Sequence, residues 1–182
     1  MRYVKKLVGS KCYLSPINPD DAETFTTWLN DIEVTRTLGM AASSISLASE
    51  RQILEKVAQE HVYGIVDLAT DTLLGNVGLH QIDHAHRSCV IGIFIGDKSA
   101  WGKGYGPEAL RLLMGFAFDY LNMHTVKLMV YEFNARARAA YAKIGFKEAG
   151  RWRDAVFREG RFHDVIMMDM LEDEFRAGAV SG

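Results

Sequence analysis

A strand, a glycine-rich loop and a helix follow one another in the middle of this sequence. The apolar run Val90–Ile95 is typical of a buried strand, and Pro107 and Glu108 suit the first turn of a helix that reaches about Leu121. Between them lies Trp101–Gly106, in which every second residue from position 102 is glycine. Where such a loop meets a helix N-terminus, backbone N–H groups and the helix dipole favour an anion. The sequence therefore predicts a phosphate-binding turn between a strand and a helix.

Two common phosphate-binding loops differ from this one. A Walker A loop has four residues between its glycines and Lys-Ser/Thr after the second, whereas Lys103 stands directly between Gly102 and Gly104. The dinucleotide fingerprint matches Gly104–Ala109 in spacing, and Glu132 falls near the place of its ribose-binding acid. That fingerprint needs its glycines immediately after the strand, but residues 96–103 intervene here. A nicotinamide-dependent oxidoreductase stays open as an alternative.

A second segment, Asn134–Phe146, extends the pattern with the sequence NARARAAYAKIGF. Trp101–Gly106 resembles the coenzyme A loop of the GNAT superfamily of acyl-CoA-dependent N-acetyltransferases, Arg/Gln-x-x-Gly-x-Gly/Ala. Asn134–Phe146 is similar to that superfamily's Asn-x-x-Ser/Ala-x-x-x-Tyr-x-Lys-x-Gly-Phe segment. Trp101 stands where many members have Arg or Gln; Trp is usual in the RimJ/RimL-like branch, which acetylates protein N-termini and various small amines. Residues 14–22, 28–31 and 157–164 also resemble that branch.

The expected fold is α/β, with a mixed sheet. Strand patterns lie both before and after the strand–loop–helix centre, and this order favours a mixed sheet with helices on its faces. No linker or internal repeat interrupts the chain, so we expect a single domain over residues 1–182. The resemblance implies the GNAT fold, a central mixed sheet flanked by helices, and homodimers are common in the branch.

The resemblance also implies a site for acetyl-CoA as the cosubstrate. Its pyrophosphate would lie on the N–H groups of the loop, and its pantetheine arm would pair with the strand before the loop, where a backbone N–H can polarise the thioester carbonyl. Asn134 would contact the arm, and the Tyr141 phenol would protonate the leaving thiolate. The implied cofactor-binding residues are Ile93, Phe94, Ile95, Trp101, Gly102, Lys103, Gly104, Tyr105, Gly106 and Asn134.

Two of these residues have structural alternatives. Asn134 and Tyr141 are seven positions apart, about two helical turns, so they share a face of a helix. Asn is a favoured helix N-cap, and this role is compatible with cofactor contact. A tyrosine flanked by alanines is also typical of half-buried packing. Both interpretations of each residue stay open.

The attacking amine must lose a proton, and several side chains are candidates to accept it. They lie between the two strands preceding the loop, on the strand before, and after the first helix: Asp83, His84, His86, His80 and Glu33. Water can take the proton instead. Cys12 and Cys89 are conceivable acyl-carrying nucleophiles, but neither has a histidine partner nearby in sequence. The six histidines show no metal-ligand spacing, so we expect no metal.

The composition excludes several classes of protein. The net charge of −2 and the dispersed basic residues argue against a nucleic-acid binder. No apolar run approaches the roughly 20 residues that a membrane span needs. Lys5, Lys6 and Lys11 interrupt any signal-peptide core, so a cytoplasmic location is expected.

The expected function is transfer of an acetyl group from acetyl-CoA to a primary amine by direct attack in a ternary complex. The alternative is a CoA-binding sensor or interaction module without turnover, and the tyrosine at position 141 favours the enzyme. A protein N-terminus, a polyamine and an aminoglycoside are all candidate acceptors. A polyamine would need a carboxylate-lined cleft, and five acids lie early in the chain: Asp20, Asp21, Glu23, Asp31 and Glu33.

Overall fold

The computed structural model describes residues 2–180, whose strands and helices form two compact units. The first unit comprises residues up to Leu79 together with Gly92–Leu113, and the second comprises His80–Ile91 together with the residues from Met114 onward. The strands are β1 Leu7–Val8, β2 Cys12–Pro16, β3 Val62–Asp67, β4 Leu73–Asp83, β5 Ser88–Ile95, β6 Thr125–Tyr131, β7 Lys147–Arg158 and β8 Arg161–Leu171. The α-helices are α1 Ala22–Leu29, α2 Ile32–Thr35, α3 Leu47–Val57, α4 Tyr105–Asp119, α5 Ala135–Ile144 and α6 Glu172–Val180.

The first unit contains an antiparallel run of strands in the order β1-β2-β3-β4. The register pairs Leu7 with Leu14 and Cys12 with Asp67. Strand β5 lies next to β4, and at its end the backbone N–H groups of Gly96 and Asp97 both donate to the Leu74 carbonyl. The end of β5, where the glycine loop begins, is therefore fixed by backbone bonds to β4.

Helices α1 and α3 cover this part of the sheet with an apolar core. Phe25 of α1 and Leu54 of α3 are almost fully buried and belong to one cluster with side chains of β2 and β3. Phe25, Trp28 and Phe94 make three edge-to-face contacts, with ring centroids 5.5–6.4 Å apart. Aromatic pairs of this geometry add to the stabilisation from burial. The ring of Phe94 thus holds the last part of β5 against α1.

The second unit contains the parallel pair of the sheet. The first half of β5 runs parallel to β6, from Ser88 opposite Thr125 to Val90 opposite Lys127. Strand β8 is antiparallel to both β6 and β7. A parallel pair among antiparallel ones makes the sheet mixed, as the order of the strand patterns predicted.

The sequence predicts that Asp20 caps a first helix, with Glu23 three residues on, and that Ser49 starts a second one, but both helices begin differently. Ser46, and not Ser49, caps α3: its hydroxyl accepts a hydrogen bond from the N–H of Ser49, which lies in the first turn. Asp20 does not cap α1, because it lies within a short 3-10 helix, Pro19–Asp21, that is itself capped by Asn18. Both errors arose because several capping residues stand close together, and the sequence alone does not rank them.

Three elements were not predicted from the sequence. Strand β1 has two residues and α2 has four, too few to show a periodic pattern. Helix α6 begins with acidic residues, and Glu172 accepts hydrogen bonds from Arg87 and Arg176. The contact with Arg87 joins distant parts of the chain within the second unit, and so leaves no local signal.

Glu50 is a buried acid in the first unit. It lies in the first turns of α3 and exposes only 2% of its surface. Its Oε2 atom has no hydrogen-bond partner within residues 2–180. Burial raises the pKa of Glu50, because the charged carboxylate loses its hydration. A pKa above the unfolded value means that this group favours folding at low pH, and that the advantage is lost as the pH rises through the folded pKa.

We expect Glu50→Gln to stabilise the protein at pH 8 by about 1 kcal/mol, because the amide removes a buried ionisation while keeping the shape. Urea unfolding at pH 5 and pH 8 measures this, and the gain should shrink at pH 5, where the wild-type carboxyl is closer to neutral. Glu55→Gln, at an exposed position of the same helix, is the control and should change little at either pH. An equal gain at both pH values would contradict the assignment.

Candidate functional site

The glycine loop is folded by its own backbone and by the ring of Trp101. A short 3-10 helix, Lys98–Ala100, precedes it, and the N–H groups of Trp101 and Lys103 donate back to Lys98 and Ala100. The indole N–H of Trp101 donates to the carbonyl of Ile95, 2.8 Å away. The tryptophan therefore ties the loop to the end of β5.

Two glycines of the loop have positive φ angles. Gly102 has φ +75° and Gly104 has φ +91°, a left-handed region that side chains disfavour. A Cβ atom on Gly102 would meet nothing within 4 Å, so the space over this residue is open. The glycines therefore keep that space accessible as well as permitting the turn.

Four backbone donors of the loop face no protein acceptor. In the described part of the chain, no group accepts a hydrogen bond from the N–H of Gly102, Gly104, Tyr105 or Gly106. The latter two open helix α4, where the first N–H groups have no partner within the helix. Unpaired donors at a helix N-terminus suit an anion. These residues thus fit a pyrophosphate, with a narrower set of N–H groups than the sequence predicted, since those of Trp101 and Lys103 are used internally.

An open groove of about 400 Å³ borders the loop in the first unit. Its lining residues are Ser10, Lys11, Asp67, Leu68, Ala69, Lys103 and Tyr105. The hydroxyl of Tyr105 donates to Asp67 over 2.5 Å, and this hydrogen bond is the main reason why the pKa of Asp67 is lowered. The same bond raises the pKa of Tyr105. The side chains of Tyr105 and Asp67 are thus committed to each other.

The predicted pantetheine strand, Ile93–Ile95, is half-buried and ends beside Trp101. The ring of Phe94 packs in the core, so only its backbone is available to a ligand. Parallel pairing to β6 stops at Val90, before this segment. The segment therefore offers backbone groups rather than side chains, as the resemblance implies for a pantetheine arm.

Asn134 and Tyr141 lie in the second unit, at the two ends of α5. The side-chain oxygen of Asn134 caps the helix by accepting from Ala137 N–H at 3.2 Å, which leaves its amide NH₂ as a donor. Capping and ligand contact thus use different atoms. Tyr141 packs edge-to-face on Phe146 with ring centroids 5.9 Å apart. Its phenol oxygen bonds to no protein group within residues 2–180.

Burial raises the pKa of Tyr141 to about 12. The phenol is therefore neutral and protonated throughout the physiological range. A neutral phenol can donate its hydrogen to a developing thiolate, whereas a phenolate could not. The environment of Tyr141 is thus that of a proton donor.

The candidate bases are exposed or already paired. His80 and His84 are exposed, and the ring of exposed His86 contacts Asp83 at 2.9 Å within the turn between β4 and β5. Glu33 binds the ammonium group of Lys98 at 2.9 Å. None of these side chains lies in a closed polar environment that would favour it as a dedicated base.

The two cysteines are free and buried. Burial raises the pKa of Cys12 to about 12 and that of Cys89 to about 11. Because the thiolate is the nucleophilic form, neither side chain is activated for attack on a thioester.

Sequence reasoning missed two pairings that are formed by residues far apart in the chain. The carboxylate of Glu108, in the first turn of α4, accepts hydrogen bonds from Ser10, Lys11 and Cys12. His163, which is buried, contacts Glu132 at 3.1 Å, and Glu132 stands two positions before Asn134. For the Glu108 contacts, the sequence signal was an acidic residue in the first turn of a helix. For the pair of His163 and Glu132, there was no signal in the sequence.

Neither a metal centre nor a membrane-spanning helix is found in the described residues. Residues 2–180 hold no cluster of three or more His, Cys, Asp or Glu side chains arranged around a possible metal ion. No helix in this range combines the length and the apolar character that crossing a membrane requires.

Comparisons of the sequence and of the structure with known proteins indicate the same family. Residues 11–147 match the family model of the acetyltransferase (GNAT) domain. The chain is 24% identical to the uncharacterized N-acetyltransferase p20 of Bacillus licheniformis over 94% of this chain and 99% of that protein. It is 30% identical to the spermidine N(1)-acetyltransferase of Vibrio cholerae over 67% of this chain and 73% of that protein.

The fold is shared with solved structures. A crystal structure of spermidine N-acetyltransferase from Vibrio cholerae, in complex with CoA and spermine, superimposes with a TM-score of 0.82 at 24% identity, over 92% of this chain and 99% of that one. The mixed α/β fold expected from the sequence, a central sheet flanked by helices, is thereby confirmed.

We expect Gly104→Val to weaken CoA binding roughly 100-fold, because a β-branched residue is strained at φ +91° and projects over the loop. Isothermal titration calorimetry with CoA measures the change, and circular dichroism checks the fold. Gly160→Val is the matched control: its φ is +83°, and its Cβ would meet nothing within 4 Å, so it introduces similar backbone strain outside the loop and should leave CoA affinity unchanged. Unchanged affinity in Gly104→Val would place the pyrophosphate elsewhere.

Proposed function

This chain belongs to the acetyltransferase (GNAT) family and is an acetyl-CoA-dependent N-acetyltransferase, and we propose that it acetylates a primary amine by direct attack in a ternary complex. The observation that carries the direct route is the burial of both thiols, Cys12 and Cys89, with pKa values of about 12 and 11. An acyl-enzyme would need one of them as a thiolate. Without one, the amine nitrogen itself must bond to the acetyl carbon as the carbon–sulfur bond breaks.

The glycine loop supplies the anchor for the cosubstrate. The unpaired N–H groups of Gly102, Gly104, Tyr105 and Gly106 bind the pyrophosphate, and the open space over Gly102 admits it. Trp101 holds the loop to Ile95 and so fixes the anchor relative to β5. Acetyl-CoA supplies the acetyl group as a thioester.

The backbone of Ile93, Phe94 and Ile95 orients the pantetheine arm. The ring of Phe94 is fixed against Phe25 and Trp28, so this backbone is held rigidly. A rigid N–H can polarise a thioester carbonyl without reorganising during the reaction. Asn134 keeps its amide NH₂ free to donate to the arm while its oxygen caps α5.

Tyr141 provides the proton that the departing thiolate needs. It is neutral, half-buried and unpaired within residues 2–180, as a proton donor in a dry site should be. The proton lost by the amine goes to water, because the candidate bases are exposed or paired. One proton thus leaves the amine and one reaches the thiol.

We expect Tyr141→Phe to lower kcat roughly 100-fold with little change in the affinity for acetyl-CoA, because the ring stays and only the donor is lost. Steady-state kinetics and calorimetry measure the two quantities. Tyr120→Phe, in the turn directly after α4 and 76% exposed, is the control and should behave as wild type. Equal rates for Tyr141→Phe and wild type would remove Tyr141 from the mechanism.

The acceptor belongs to the amines used by the RimJ/RimL-like branch: a protein N-terminus or a small amine. A spermidine N(1)-acetyltransferase among the relatives supports a polyamine. The early acidic residues give little support, because cations or hydrogen bonds already occupy four of the five. Asp31 and Glu33 both bind Lys98, Asp20 binds Arg51, and buried Asp21 binds Arg2 and Tyr3.

The function is tested by CoA thiol release with spermidine, an aminoglycoside, free amino acids and short peptides. We expect release with one class, together with intersecting initial-velocity lines, because both substrates must be bound before chemistry. Labelled acetyl-CoA without an amine should leave no label on the protein. Label on either cysteine would contradict direct attack, and CoA binding with no release across the panel would favour a sensor.

We also propose a single domain in the cytoplasm. The chain passes from one unit to the other three times, inside β4, inside β5 and inside α4. Separate domains are usually joined by flexible linkers and not by continuous strands or helices, so these crossings favour one domain. Two free cysteines and a dependence on acetyl-CoA suit a reducing interior.

A further inference from the structure

Lys11 lies beside the glycine loop although it is 92 positions away in sequence. It occupies the turn between β1 and β2, and its ammonium group donates to the carbonyl of Lys103 at 3.0 Å. The same ammonium lies 3.5 Å from the position that a Cβ atom would take on Gly104. One of its three hydrogens is thus used by the loop, and two stay available above it.

The groove beside the loop is lined by two lysines, Lys11 and Lys103, and by one acidic residue, Asp67, so its lining has a net positive charge. Lys11 and Lys103 are exposed, and neither forms an ion pair with a carboxylate in the range that the structure describes. Asp67 lines the same groove, but its oxygens accept from Tyr105, Ala69 and Thr70. Two ammonium groups beside unpaired backbone donors attract an anion more strongly than the backbone alone.

The position of Lys11 depends on Glu108. One oxygen of Glu108 accepts from the N–H and hydroxyl of Ser10 at 2.7 and 2.6 Å, and the other accepts from the N–H groups of Lys11 and Cys12 at 2.9 Å. Burial alone would raise the pKa of Glu108, but these hydrogen bonds outweigh it and lower the pKa to about 2. Glu108 is therefore a carboxylate under all ordinary conditions.

The close approach of the turn to Glu108 also requires a glycine. A Cβ atom on Gly9 would lie 2.7 Å from the carboxyl carbon of Glu108, so a side chain there would push this carboxylate away from the turn. Gly9 N–H also donates to the Cys12 carbonyl, which closes the turn. The turn is thus built to fit over the first turn of α4, and it carries Lys11 with it.

From these contacts we propose that Lys11 is a phosphate ligand for CoA and that Glu108 is the residue that positions it. The inference rests on the proposed binding of CoA at residues 102–106. The phosphate is either the pyrophosphate on the loop or the 3′-phosphate over the groove, and both offer the same oxyanion to an ammonium group.

Calorimetric titration of the full chain with CoA and with dephospho-CoA tests the ligand. We expect Lys11→Ala to bind CoA about tenfold more weakly than wild type, and Lys11→Arg to recover most of the affinity, because the charge returns. If Lys11→Ala loses the same factor with dephospho-CoA, the pyrophosphate is the ligand; if the loss disappears, it is the 3′-phosphate. Lys56→Ala, at an exposed position on α3, is the control.

A double-mutant cycle tests the positioning role. We expect Glu108→Gln to weaken CoA binding about fivefold in the wild-type background and less than about twofold in the Lys11→Ala background, because its effect passes through Lys11. Equal losses in both backgrounds would overturn the positioning role. Because Lys11 is exposed, Lys11→Ala should fold even if Glu108→Gln does not, and thermal unfolding checks both.

The outcomes separate this inference from the function on which it rests. Wild-type protein that binds CoA while Lys11→Ala binds it equally well would overturn the role of Lys11 alone. Wild-type protein that does not bind CoA would overturn the proposed site and the inference together.

Discussion

The carboxylate of Glu108 holds together the part of the first unit on which binding depends. It gathers three consecutive residues of a turn that stands 96 to 98 positions earlier in the chain. A carboxylate that accepts several hydrogen bonds from N–H groups is both stabilised as an anion and fixed in place. The negative charge also lies in the first turn of α4, where the helix dipole favours it. The turn that carries Lys11 is thereby held over the helix start that follows the glycine loop.

The local features of the site could be predicted from the sequence. The strand expected from the apolar run Val90–Ile95 lies within β5, Ser88–Ile95, because that run is continuous and is followed by a loop. The loop of alternating glycines likewise carries its own signal, since positive φ at Gly102 and Gly104 demands that residue type. The family resemblance then identified coenzyme A as the expected cofactor. The spacing of the glycines alone did not distinguish coenzyme A from a dinucleotide.

The features that could not be predicted depend on long-range contacts. Nothing near Glu108 in the sequence indicates Ser10 or Lys11, and nothing near Glu33 indicates that Lys98 neutralises it. In the sequence, the acidic residues near the N-terminus suggested a carboxylate-lined cleft for a polyamine. In the structure, most of them are paired with cations of the protein. Helix caps were misplaced for a simpler reason, since Ser46 and Ser49 are both good caps and only the backbone geometry chooses between them. A cluster of charged residues in a sequence therefore indicates a ligand only once the structure shows which of them are already paired within the protein.

The burial of Cys12 and Cys89 has a consequence beyond the choice of reaction route. Thiols with pKa values of about 12 and 11 are almost entirely protonated at neutral pH, so alkylating agents, peroxide and aromatic disulfides attack them slowly. The folded protein is therefore resistant to oxidative inactivation at its cysteines, although it releases a reactive thiol at every turnover. It can also be held without reductant, and a thiol-reactive dye added to the native enzyme would register the released CoA with little background from the protein.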